Sequence, residues 1–313
     1  MTELEPNGAK TDNSEPGKIA KNDQSRLTMV ANGIRLFRMT LGLFLPHSMR
    51  LLRLWIATIH NSLTYKPVDS PQNIVVVGGS FAGVQVAKWL ANTVPTGYRV
   101  VLVERNSHFN YLFAFPRYSV VSGYEQSAFI PFDDILRSAI RKGSLWHIQA
   151  EALGATASQV LLANGQAIDY AYLVVATGSR QKPPAKMSSS EREDACGELR
   201  DVQCGIAKAT RIAVVGSGAV GVEIAADIKS YFPDKDVTLF SSRNVVMPAF
   251  GPKLQTHVTN ILNALGVVVR YNARPHVLPD GKTIQFSDGT TEDFDLVVCL
   301  RPSPSFPFLN LQG

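Results

Sequence analysis

Cysteine is scarce in this sequence. Only Cys196, Cys204 and Cys299 occur, an odd number with no C-x-x-C spacing. That excludes a disulfide framework and a redox-active dithiol, and leaves plain buried or surface thiols. The six histidines include no H-x-x-x-H pair and no Cys/His grouping at zinc spacing, so metal chemistry has no support. Long apolar runs are missing too. The longest charge-free runs near the N-terminus, 39–49 and 54–65, have 11 and 12 residues. A spanning helix needs about 20.

Acids are absent from one whole segment. Residues 24–68 hold Arg26, Arg35, Arg38, Arg50, Arg53 and Lys66 and no carboxylate, a charge of +6. Residues 1–23 carry −2 and the remaining 245 residues +1. The body of the chain is therefore close to neutral. It lacks the basic face that nucleic-acid binding requires, so no nucleic-acid partner is expected.

What is present is enough apolar material for two domains: 313 residues, 45% of them hydrophobic. Residues 1–25 are polar and read as a disordered N-terminus. Thr2 excludes N-myristoylation, and the early acids do not suit a mitochondrial transit peptide. Residues 26–68 read as an amphipathic, membrane-associating helical segment. Arg50, Arg53, Ala57 and His60 share one helical face, as do Arg35, Arg38 and Gly42 upstream, and Pro46 is expected to separate two helices. One reading lays residues 28–63 in the surface of an anionic membrane, which makes the chain a peripheral, intracellular membrane protein of unassigned organelle. The other packs the arm on the body or on a partner subunit.

From residue 72 the pattern is α/β. Strand-like runs at 74–77, 100–103, 172–176, 212–215, 237–240, 267–270 and 295–299 alternate with helical stretches at 84–94, 219–231 and 253–265. Ser190 and Glu193 have capping-box spacing and open a linker helix. The expected domains are a first nucleotide-binding domain over 70–186, the linker over 187–209, a second nucleotide-binding domain over 210–300 and an irregular tail over 301–313.

Two glycine loops stand out. "IVVVGGSFAG" at 74–83 and "IAVVGSGAVG" at 212–221 each end an apolar strand and open a helix. The free amides and the dipole of such a helix hold a pyrophosphate. In the first, Gly78 makes the turn, Gly79, Ser80, Phe81 and Ala82 line the loop, and Gly83 lets helix and strand pack closely. Ser80 replaces the usual second glycine. Glu104, with Arg105 beside it, ends the next strand 21 residues after Gly83, the place of an acid that binds a ribose hydroxyl. The second loop has all three glycines, Gly216, Gly218 and Gly221. Its next strand carries Ser241 where the acid would stand, then Ser242 and Arg243. Without that acid nothing repels a 2′-phosphate, and Arg243 is either its partner or a solvated surface charge.

A third phrase, "DYAYLVVATGS" at 169–179, ends a strand in Ala176, Thr177 and Gly178. Together "VVVGGSFAG", "ERNSHFNYLFAFPR", "VVATGS" and "RIAVVGSGAVGVEIAADI" make roughly residues 72–300 resemble the two-dinucleotide-domain flavoproteins of the pyridine nucleotide-disulfide oxidoreductase superfamily. Within it the resemblance is to the apoptosis-inducing-factor-like and ferroptosis-suppressor-like branch, kin to type II NADH dehydrogenases. It implies two Rossmann-like domains, FAD at the first loop and NADH or NADPH at the second. Hydride would pass from nicotinamide to flavin and electrons onward to a quinone-like acceptor, commonly in a membrane. It also implies that Thr177 and Gly178 belong to the cofactor site, that Arg117 contacts the flavin, and that a backbone group near Ala152 meets the adenine. Glu223 would lie near the nicotinamide as the candidate catalytic residue, unless it is an ordinary helix-face acid. With no cysteine pair, the disulfide-reductase branch is excluded.

The chain departs from the family pattern at its end. "FDLVVCLRPSPSFPFLNLQG" has Cys299-Leu300-Arg301 where a second ATG is expected, and no Gly-Asp dipeptide occurs anywhere in the sequence. The FAD domain therefore reads as incomplete, with the NAD(P) domain inserted and an exposed strand edge left behind. The chain is a shortened product of a complete gene, a short form that holds FAD poorly, or a chain completed by another. Two functions stay open at this point. One is a membrane-bound FAD-dependent NAD(P)H oxidoreductase impaired by its shortened end. The other is a catalytically silent nucleotide-binding, membrane-docking protein.

Overall fold

The computed structural model describes residues 16–136, 143–179 and 181–300. They form two compact units that divide between Leu63 and Thr64. The first is essentially one helix, α1 (Pro16–Thr64). Pro16 stands at its first position, where a missing N–H costs nothing. Two expectations are corrected here. Residues 16–25 are helical, because extending a helix already nucleated downstream gains one hydrogen bond per residue fixed, even for polar residues. Residues 1–15 and 301–313 lie outside the described residues. Pro46 does not divide the element. It removes the bond to the Gly42 carbonyl, but that carbonyl belongs to an exposed residue and water can satisfy it. Large apolar side chains along α1 are open to solvent, including Leu36, Phe37, Phe44, Leu52 and Trp55. Among the described residues no helix is long and apolar enough to cross a membrane.

The second unit is a duplicated architecture. In its first module β1 (Gln72–Val77), α2 (Phe81–Thr93) and β2 (Tyr98–Glu104) form a βαβ start with β1 and β2 parallel. The short β3 (His108–Asn110), α3 (Phe115–Tyr118), α4 (Glu125–Ala128), β4 (Phe129–Pro131) and α5 (Phe132–Leu136) follow. Next come β5 (Leu145–Gln149), an antiparallel meander of β6 (Ala152–Ala155), β7 (Gln159–Leu162) and β8 (Ala167–Asp169), and finally β9 (Tyr172–Val175). The main sheet is parallel in the order β5-β2-β1-β9, with β9 at its edge. Both faces of β1 are covered, which is why it reads as an unbroken valine run. Ile74 and Val76 join Val100 and Leu102 under α2, while Val75 and Val77 join Val101 and Val103 under the meander.

The second module repeats this plan. After α6 (Arg192–Lys208) come β10 (Arg211–Val215), α7 (Ala219–Tyr231), β11 (Asp236–Phe240), α8 (Pro252–Ala264) and β12 (Val268–Arg270). The meander β13 (His276–Val277), β14 (Thr283–Gln285), β15 (Thr291–Asp293) precedes β16 (Leu296–Cys299). The parallel order is β12-β11-β10-β16. Ile212 and Val214 pack under α6 and α7, and Ala213 and Val215 pack with Ile284 and Phe294 of the meander region.

Two details join the modules. Val120, from the segment after α3, is buried in the core of the second module. The buried amide of Gln203 on α6 donates to the carbonyls of Tyr118 at 2.6 Å and Val121 at 3.3 Å. The linker helix itself starts differently from expectation. Its N-cap is Glu191, and no side-chain cap bond is made from within the turn. The Ser190 carbonyl is taken by the Ser107 amide at 2.8 Å, and the Ser107 hydroxyl accepts the Arg192 amide at 3.0 Å. A serine far away in sequence caps the helix instead of Ser190.

Candidate functional site

The first loop is held shut by contacts that exclude side chains. Gly78 has φ +105°, and a Cβ there would lie 2.5 Å from the Ala176 carbonyl oxygen. A Cβ on Gly83 would lie 1.7 Å from the Gly78 carbonyl oxygen. This brings Gly78 and Gly83 against Ala176, next to Thr177 and Gly178, at one end of the sheet. Ser80 is the N-cap of α2 and its side chain makes no cap bond. The first-turn amides are thus left to accept an anion. Phe81 packs edge-on against Phe109 at 4.8 Å and Phe113 at 5.0 Å.

Glu104 closes this end. Its carboxylate accepts from the Gly79 amide at 2.5 Å and from the Asn106 amide at 2.9 Å. A carboxylate has about four lone-pair positions, so capacity remains for a ribose hydroxyl. Arg105 is half-buried beside it. Ala152 opens β6 as a buried residue, and the Glu104 carbonyl is tied to the Ala150 amide at 2.9 Å, so this turn flanks the same loop.

The second loop copies the first. Gly216 has φ +124°, and a Cβ on Gly221 would lie 1.8 Å from the Gly216 carbonyl oxygen. Gly218 is the N-cap of α7, again without a side-chain cap. The acid of the first module is replaced by a hydroxyl relay. Ser217 donates to Ser241 at 2.7 Å, and Ser241 donates to the Val245 carbonyl at 2.8 Å. Ser241 is fully buried and committed, whereas Ser242 and Arg243 are exposed.

Arg117 lies on α3 and faces α7. Its Nε donates to Asp227 Oδ2 at 2.7 Å, and the carboxylate is only 8% exposed against 50% for the arginine side chain. Burial raises the pKa of Asp227 above the ordinary value, and the Arg117 charge opposes but does not cancel it. On the arginine, burial would lower the pKa, but the charge and hydrogen bond of Asp227 outweigh it and the net direction is up. The carboxylate bears the cost because it is the more buried partner. Glu223, half-buried one turn earlier on α7, is raised by burial first and by the Asp227 charge second. Arg117 and Glu223 therefore share one neighbourhood at the seam of the modules. Asp227, Ser217 and Gln203 were not anticipated from sequence. The i, i+4 spacing of Glu223 and Asp227 was the available signal.

Comparison with known proteins places this geometry. The family model for pyridine nucleotide-disulphide oxidoreductase matches residues 72–300. Fe-regulated protein 8 of Mycosarcoma maydis is 34% identical over 265 residues, covering 77% of this chain and 67% of its own length. Ferroptosis suppressor protein 1 of Xenopus tropicalis is 31% identical over 202 residues, covering 64% of this chain and 52% of its own. The matched stretch thus spans about half to two thirds of these relatives. Among solved structures, the sulfide:quinone oxidoreductase of Aquifex aeolicus superposes with a TM-score of 0.58 at 19% identity, over 74% of this chain and 58% of that one. Two duplicated glycine loops on parallel sheets, a family model over most of the chain and relatives of this identity agree: the chain belongs to the pyridine nucleotide-disulphide oxidoreductase family.

Proposed function

We propose that this chain is an FAD-dependent NAD(P)H oxidoreductase that passes hydride from nicotinamide to flavin and electrons on to a quinone-like acceptor at a membrane surface. The observation that carries the reading is the duplication of the side-chain-excluding loop, Gly78 with Gly83 and Gly216 with Gly221. One nucleotide site would serve a binding protein; two suit a donor and an acceptor.

The residues fit the two nucleotides. The uncapped first turn of α2 holds the pyrophosphate of FAD, and Glu104 offers its remaining lone pairs to the ribose. The uncapped first turn of α7 holds the pyrophosphate of the nicotinamide nucleotide. Ser241 is unavailable to a ribose hydroxyl because it is fully buried, donates to the Val245 carbonyl and accepts from the Ser217 hydroxyl and the Arg243 amide. Arg243 and Ser242 stand free for a 2′-phosphate, which favours NADPH alongside NADH. When bound, FAD supplies the hydride acceptor and the outlet for electrons. Glu223 stands beside the nicotinamide, its pKa raised first by burial and then by the Asp227 charge.

The α1 helix supports the membrane part of the reading. Its exposed apolar residues and the arginines at 35, 38, 50 and 53, with no acid between them, suit an anionic lipid surface. A lipid-soluble acceptor is reached from such a position.

The test is a visible absorption spectrum of the purified 313-residue chain, before and after FAD and then NADPH. A bound flavin band that bleaches on NADPH supports the reading. A chain that retains no flavin overturns it and leaves nicotinamide-nucleotide binding at the second loop.

A further inference from the structure

We infer that Arg117 and Asp227 are positioning residues for Glu223: their ion pair bridges the two modules and sets the charge state of the Glu223 carboxyl one turn into α7. That Glu223 bears on the nicotinamide rests on the function proposed above; the pairing itself does not.

Three acidic or phenolic groups, Glu223, Asp227 and Tyr231, follow one another at four-residue spacing and so form one stripe on α7. Arg117 reaches this stripe from α3, ion-paired to Asp227 at 2.7 Å. Its own backbone stands in the segment that sends Val120 into the second core, which fixes the point from which the guanidinium reaches the stripe. The groups that act on Glu223 are few. From α7 there is Asp227, which disfavours its anion; from α3 there is Arg117, which favours it. Neither β10, β11 nor α8 contributes a charge to it. One cation therefore serves two carboxyls and is committed to the more buried one. Glu223 receives only the remainder.

This arrangement makes opposite predictions for its two members. Removing Arg117 takes away the one cation among the described residues that acts on Glu223, so the carboxyl titrates at higher pH. Removing the Asp227 charge takes away a like charge and frees Arg117, so Glu223 titrates at lower pH. A pair that merely braced the fold would move the titration in one common direction, or not at all.

The experiment is an NMR titration of the full chain carrying glutamate labelled with carbon-13 at the side-chain carboxyl, without nucleotide, with Glu223→Gln identifying the resonance. Arg117→Gln is expected to move the Glu223 midpoint up, and Asp227→Asn to move it down, each by about half a pH unit or more. Arg117→Lys is expected to stay close to the unsubstituted chain. The double variant Arg117→Gln with Asp227→Asn loses both charges together, keeps no unpaired ion, and is expected to fall between the two single variants. It also serves if one single variant fails to fold. Shifts of the same sign in both single variants, or a double variant outside them, would overturn the inference. Calorimetric titration with NADH keeps the two claims apart. Opposite NMR shifts without NADH binding would leave the pair standing and overturn the functional reading.

Discussion

Glu104 and Gly79 meet through a hydrogen bond of 2.5 Å, carboxylate oxygen to loop amide, across the gap between the end of β2 and the first glycine loop. The acid proposed to hold the ribose is thus also a structural brace. Glu104→Gln keeps the shape but gives up the charge-assisted bond. We expect a loss of about 1–2 kcal/mol in urea unfolding and a lower flavin-to-protein absorbance ratio after saturation with FAD. An unchanged unfolding midpoint would show that the brace carries no weight.

Gly83→Ala and Gly221→Ala should fail for the same reason, since each Cβ would collide with the carbonyl oxygen of the first glycine of its loop, Gly78 or Gly216. Gly205→Ala is the matched control. Outside its own helix its Cβ would meet only Leu296 Cδ1 of β16 at 3.8 Å, an ordinary contact. We expect both loop variants to lose several degrees of melting temperature and nucleotide binding at their own loop. The control should gain about 0.5–1 kcal/mol from helix propensity. Circular-dichroism melts and nucleotide titrations of the three variants would decide.

Glu198 gives a stability term with a definite pH dependence. Its carboxylate accepts from the amides and hydroxyls of both Ser188 and Ser189. Burial alone would raise its pKa, but these bonds outweigh it and lower it from the ordinary 4.5. A lowered folded value stabilises the protein above the ordinary carboxylate value, and that contribution fades as pH falls through the lowered value. Glu198→Gln should therefore cost about 1–2 kcal/mol at pH 7 and progressively less below about pH 4.5. Denaturant melts of both proteins across that range check the convergence.

The α1 reading predicts that Arg35, Arg38, Arg50 and Arg53 replaced together by Glu abolish co-sedimentation with vesicles containing phosphatidylserine. Nucleotide binding by the same variant should be unchanged. Undiminished co-sedimentation would remove the electrostatic account of the arm.

The sequence made much of this fold readable, for a physical reason. Strands such as Ile74–Val77 and Ile212–Val215 are buried on both faces, so they announce themselves as unbroken apolar runs, and glycines mark where backbones touch. The meanders were not legible. Gln159–Leu162 and Thr283–Gln285 are short and cover a core with only two residues and one, and Thr291–Asp293 buries none. The α6 cap was misread because Ser107 reaches it from a distant part of the chain, where no local spacing could point. The resemblance implies a flavin contact for Arg117 and says nothing of Asp227, its ion-pair partner 110 residues away. Only the folded seam reveals which acid it answers.

Val120, the residue that the first module lends to the core of the second, has a consequence for how ligands are felt. Pulling the modules apart would leave a hole where its side chain sat, so neither is free to melt alone. Unfolding then becomes a single event in which both loops are lost together. A nucleotide that binds either loop only in the folded state must protect both, by about 2.7 kcal/mol when present at a hundredfold its dissociation constant. Each cofactor thereby acts as a thermodynamic ballast for the site of the other, even where the two molecules never touch.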